Sequence, residues 1–64
     1  MVIEVGDEVT NGHWAVRCRD ETKSEKLSMT VLALDGPDAW LFVNNGMNQG
    51  HRLTFSIRNL ERIK

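Results

Sequence analysis

The stretch from Leu27 to Val43 reads LSMTVLALDGPDAWLFV, and its pattern decides the fold. In its first part Leu27, Met29, Val31 and Ala33 alternate with Ser28, Thr30, Leu32 and Leu34, the period of two that puts side chains on opposite faces of a strand. After Asp35-Gly36-Pro37-Asp38 comes a second run, Ala39 to Val43, whose Trp40, Phe42 and Val43 suit a pleated surface better than a helix. Between the runs, Gly36 takes a positive φ cheaply and Pro37 presets φ without offering an N–H donor. The stretch therefore predicts a β-hairpin at the centre of a small β domain. Its two strands are apolar on both faces, so each face needs something to cover it.

Working outward, the segments on either side also read as strands. From His13 to Arg19, Trp14, Val16 and Cys18 alternate with Ala15, Arg17 and Arg19, which predicts a half-buried strand with one wet face. From Arg52 to Arg58, Leu53, Phe55 and Ile57 are expected inside, with Arg52, Thr54, Ser56 and Arg58 outside. Val2, Ile3 and Val5 predict a short extended start, broken at Gly6-Asp7. Asn11-Gly12 is a further turn signal. Asp20 to Lys26 holds no apolar residue, so it is expected to be a mobile, charged loop. Asn44 to Gly50, rich in amides and glycine, reads as a flexible hairpin loop with Met47 exposed. Leu60 and Ile63, three apart, predict one 3₁₀ turn over Asn59 to Ile63 ahead of a short final strand.

A chain of 64 residues makes one domain, expected over 1–64, and a domain of that size buries only about 60% of the surface of its unfolded chain. Cys18 is the sole cysteine, so no intrachain disulfide is available and a reducing, cytoplasmic setting is the simplest expectation. The opening lacks the basic and apolar regions of a signal peptide. No apolar run approaches the roughly 20 residues that cross a bilayer, so no membrane partner is expected. A net charge of −1 argues against binding nucleic acid by bulk charge. The charge is uneven, however: residues 1–25 balance to −3 and residues 50–64 to +3.

Chemistry-bearing residues are sparse. His13, Cys18 and His51 do not stand at a metal-ligating spacing, and no glycine-rich loop leads into a helix, so neither a metal nor a nucleotide cofactor is expected. Cys18, in phase with Trp14 and Val16, reads as a small core residue. Asp7 and Glu8 read as turn residues in water, with Asp7 accepting local backbone hydrogen bonds. If Leu41 and Val43 face the core, Trp40 and Phe42 must face the other way. Leu32, Leu34, Trp40 and Phe42 are then the candidate interaction patch; the other reading places Trp40 in the core. Arg17, Arg19, Arg52 and Arg58, on wet strand faces, are the alternative contacts to nucleic acid.

Val5-Gly6-Asp7-Glu8-Val9, followed by Trp14 and closed by Asn59-Leu60-Glu61-Arg62-Ile63, resembles the SH3-like small barrels of bacteria and mobile elements. More narrowly, these two ends resemble the plasmid-borne type II dihydrofolate reductases, tetrameric barrels of similar length. The resemblance covers about a quarter of the chain. It implies an all-β, five-stranded SH3-like barrel with a 3₁₀ turn before the last strand, and it makes a homo-oligomer plausible. It does not carry the catalysis. The family's pore strand reads Val-Gln-Ile-Tyr where this chain has Arg52-Leu53-Thr54-Phe55, and Thr10 to His13 supplies no lysine for an anionic substrate. The same opening resembles KOW and Tudor-type modules, although the tyrosines of a methyl-lysine cage are absent. Together these readings predict a non-enzymatic barrel that works by binding itself or another protein. A nucleic-acid-associated module comes second and a reductase-like enzyme third.

Overall fold

In the computed structural model, which describes residues 2–63, the central hairpin forms as its pattern predicts. The strands are β1 (Glu8–Thr10), β2 (Trp14–Val16), β3 (Glu25–Lys26), β4 (Met29–Asp35), β5 (Asp38–Val43), β6 (Arg52–Ser56) and β7 (Glu61–Arg62). Asp35 pairs with Asp38 to close the hairpin, and Gly36 takes φ +57° at the first central position of the turn. That is where a two-residue hairpin of type II′ requires glycine. Pro37 donates no amide proton, but its carbonyl accepts the Ile57 N–H at 2.8 Å.

Five strands make one antiparallel sheet in the order β6-β5-β4-β1-β7, while β2 and β3 form a separate ribbon. Across the sheet Met29 lies opposite Val43, and Val31, Leu41 and Leu53 share a row. Met29, Val31, Leu41 and Val43 of these rows, with Ile3, Val9, Ala39 and Leu60, are the buried core. Burying each of the larger members is worth roughly 1.5–3 kcal/mol. Leu53, Phe55 and Ile57 pack against this core, half-buried rather than at its centre. The fold is all-β, and among the described residues no helix is long and apolar enough to cross a membrane.

Several expectations are corrected. The sheet does not close into a barrel: β6 and β7 remain its edges, because β7 has two residues and its pairing with β1 is its only place in the ladder. The strand expected from His13 to Arg19 shrinks to β2, and its faces are reversed. Trp14, Val16 and Cys18 are exposed and Ala15 is half-buried. The cause is Gly46: a Cβ built there would lie 2.8 Å from Ala15 Cβ, so β2 meets the β5–β6 loop through its smallest side chain. The charged segment Asp20 to Lys26 is ordered into a 3₁₀ turn, Glu21–Lys23, and strand β3.

The second 3₁₀ turn does precede the last strand, but it spans Ile57–Asn59. Starting it there sends Leu60 into the core and leaves Ile63 outside. Asp7 accepts the Glu4 N–H at 2.8 Å as expected, but its side chain is only 16% exposed and lies 3.4 Å from Arg62 Nε rather than in water. Glu8 does not: it lies half-buried in β1 and accepts a 2.7 Å hydrogen bond from the Ser28 hydroxyl.

Candidate functional site

The face of the sheet opposite the core is built by alternation on β5. Ala39, Leu41 and Val43 are buried, which forces Trp40 and Phe42 outward, with 48% and 37% of their surface exposed. Trp40 sits between Ala33 on β4 and Thr54 on β6, and Phe42 between Thr30 and Arg52. The small neighbours Ala33 and Thr54 give the indole little lateral cover. Arg52 sets a guanidinium in the row of Phe42, and Asp35 and Asp38 stand at the turn end of the same hairpin.

The remaining patch residues are placed differently. The β4–β5 register slips between Val31 and Ala33, so Leu32 is the extra residue of a bulge. Beyond it the phase of β4 changes, and Leu34 falls opposite buried Ala39 rather than beside Trp40. Leu32 and Leu34 are nonetheless exposed, because no residue of β1 pairs with β4 past Thr30. The structure thus joins Trp40 with Phe42 on one face and leaves Leu32 and Leu34 at an open edge.

The arginines also separate. Arg52 is on β6 and Arg58 on the 3₁₀ turn, while Arg17 and Arg19 follow β2. Arg17 and Arg19 line a cleft of about 400 Å³ together with Trp14, Cys18 and Ser24. The Lys26 ammonium lies 4.1 Å from the centre of the Trp14 ring, a cation–π contact. Ser24 closes the loop, its hydroxyl accepting the Cys18 N–H at 3.0 Å. Sequence reasoning placed Trp14 and Cys18 in the core and so missed this cleft. The available signal was the pair of arginines flanking Cys18 beside a segment without apolar residues.

Asn44 and Asn45 are committed internally. Asn45 accepts the Ser28 N–H at 2.9 Å and donates to the Lys26 carbonyl at 2.9 Å, while Asn44 donates to Thr30 Oγ1 at 3.0 Å. These two amides anchor their loop to β3 and the start of β4, while Asn48 and Gln49 remain exposed. Exposed Asp20 has its pKa lowered, first by the Thr22 hydroxyl and then by the Thr22 N–H, both donating to its carboxylate. His13, Cys18 and His51 are exposed on separate segments, and no three His, Cys, Asp or Glu side chains converge among the described residues. Comparison with known proteins finds no matching family, no matching curated protein and no matching solved structure.

Proposed function

We propose that this chain is a non-enzymatic interaction module of SH3-like topology that works by self-association through the outer face of β4, β5 and β6. The observation that carries this reading is the outward placement of Trp40 and Phe42 beside small or polar neighbours. Two further facts support it. The chain exposes 4714 Å², whereas a compact monomer of its mass exposes about 4,200 Å². Most of its aromatic side chains, Trp14, Trp40 and Phe42, are on the surface rather than in the core, where aromatics ordinarily contribute most. The SH3-like reading is supported by a last strand that returns beside the first after a 3₁₀ turn.

A second copy is the occupant that best fits a marginal fold. Covering exposed apolar side chains at roughly 1.5–3 kcal/mol each adds to a total stability of only about 5 kcal/mol. Sedimentation tests this. The wild type is expected to exceed 7.3 kDa at high micromolar concentration, and Trp40→Glu to return to that mass. A wild type that stays monomeric overturns self-association. The missing glutamine, tyrosine hydroxyl and lysine imply no reduction of dihydrofolate, and turnover with NADPH by purified protein would overturn the non-enzymatic reading.

A further inference from the structure

The β2–β3 ribbon carries a feature that self-association does not use. Its cleft brings together an indole, two guanidiniums and a hydroxyl, from Trp14, Arg17, Arg19 and Ser24. Among the described side chains, which do not include that of Glu21, neither guanidinium has a carboxylate within salt-bridge distance. Asp20, the acid next to Arg19, directs its carboxylate to Thr22 instead. Trp14 is 40% exposed although it belongs to a strand, and Lys26 adds a third positive charge against its ring. The 3.0 Å bond from Lys26 Nζ to the Gly12 carbonyl fixes that ammonium, and the Ser24 clasp fixes the turn that presents both arginines. Positive groups held around an aromatic surface form a recurring platform for single-stranded nucleic acid, in which guanidiniums meet phosphates and the ring stacks on a base.

We propose that the cleft formed by Trp14, Arg17, Arg19 and Ser24 binds one nucleotide unit of a single-stranded nucleic acid. The phosphate lies between Arg17 and Arg19, with the base against the part of the Trp14 ring that Lys26 does not cover. A volume of about 400 Å³ accommodates a unit of that size. An acidic peptide would satisfy the guanidiniums but would leave the indole without a planar partner. The net charge of −1 does not oppose the assignment, because the site acts through a few local contacts rather than a broad basic surface. For that reason a shallow salt dependence is expected: one phosphate contact gives a logarithmic slope of about −0.7 on a single strand.

The test is fluorescence anisotropy of a short labelled oligothymidylate at low salt, with the wild-type chain and with Trp40→Glu. Because the cleft and the outer sheet face lie on different elements, Trp40→Glu is expected to bind as the wild type does, whatever its oligomeric state. Trp14→Leu and the double variant Arg17→Gln/Arg19→Gln should each weaken binding about tenfold or more. Arg52→Gln and Arg58→Gln should leave it unchanged. Circular dichroism establishes that each variant is folded. The ribbon lies outside the buried core, and Arg17→Gln alone is the milder replacement if the double variant unfolds. Thymidine monophosphate, which carries the one base and one phosphate the cleft takes, should compete, and inorganic phosphate should compete at least about tenfold more weakly, since it lacks the base. Equal competition by inorganic phosphate or by polyglutamate, or undiminished binding in the Trp14 and Arg17/Arg19 variants, overturns the proposal. So does a complete lack of binding to the wild type.

Discussion

Gly46, at φ +81°, is the residue on which the ribbon's position turns, because any side chain there meets Ala15. Gly46→Ala combines a strained backbone with a contact 2.8 Å from Ala15 Cβ and 2.9 Å from its carbonyl oxygen. It is expected to cost about 1–3 kcal/mol, read as a lowered denaturation midpoint. Ala15→Gly should restore only part of the loss, since the carbonyl clash remains. Asp20 offers a second test at this scale. Its lowered pKa means that the stability it contributes is complete above its unfolded-state pKa and disappears as pH falls through the lower, folded-state value. In an NMR titration Thr22→Ala should move the Asp20 midpoint upward, because the hydroxyl is the larger cause of the shift. An unmoved midpoint would assign the shift to the backbone contact.

Among the elements, β5 was the most legible and β2 the least. The strict alternation of β5 divides its residues into the two sets the structure shows, leaving open which set is buried, and a two-residue turn holds it in register with β4. In β2 the same alternation points to the wrong face, because the ribbon leaves the sheet and its packing is set by Gly46, far away in sequence. The Asn44-Asn45 pair, just after β5, ties its loop to β3 and β4 by bonding to Lys26, Ser28 and Thr30. Asn45→Ala leaves the Ser28 N–H and the Lys26 carbonyl without those partners, at an expected cost of about 1–3 kcal/mol. Hydrogen exchange at the Ser28 amide should accelerate by the corresponding factor. If only the surrounding loop amides accelerate, the clamp does not hold β4.

At the scale of the whole molecule, the acidic and basic ends of the chain meet within one copy. Arg62 Nε lies 3.4 Å from Asp7 Oδ2, which joins the β7 end to the turn before β1. The arginine is largely solvated, so Arg62→Ala is expected to cost less than about 1 kcal/mol and to matter less in high salt. The apolar core stabilises the fold far more than this ion pair does. Leu41→Ala, at a fully buried site, should cost about 2–5 kcal/mol and unfold much of the population at room temperature. Phe55→Ala, at a half-buried site, should cost less in the same denaturation series. The reverse order would mean that β6, not β5, holds the centre of the core.

The all-β class, the hairpin and its turn, and the inward direction of Leu53 and Phe55 were legible in the sequence, whereas the outward placement of Trp40 and Phe42 was one of two readings until the burial of Leu41 and Val43 selected it. The legible features follow from neighbours one or two residues apart, where alternation and turn chemistry act. Tertiary structure alone decided the bulge at Leu32, which moves Leu34 away from the Trp40 face, and the exposure of Trp14 and Cys18. It also decided the internal use of Asn44 and Asn45, and the sheet that stays open between β6 and β7. Those outcomes depend on contacts between residues distant in the chain, such as Ala15 with Gly46 and Ser28 with Asn45, and no local pattern encodes which distant partner a segment will meet.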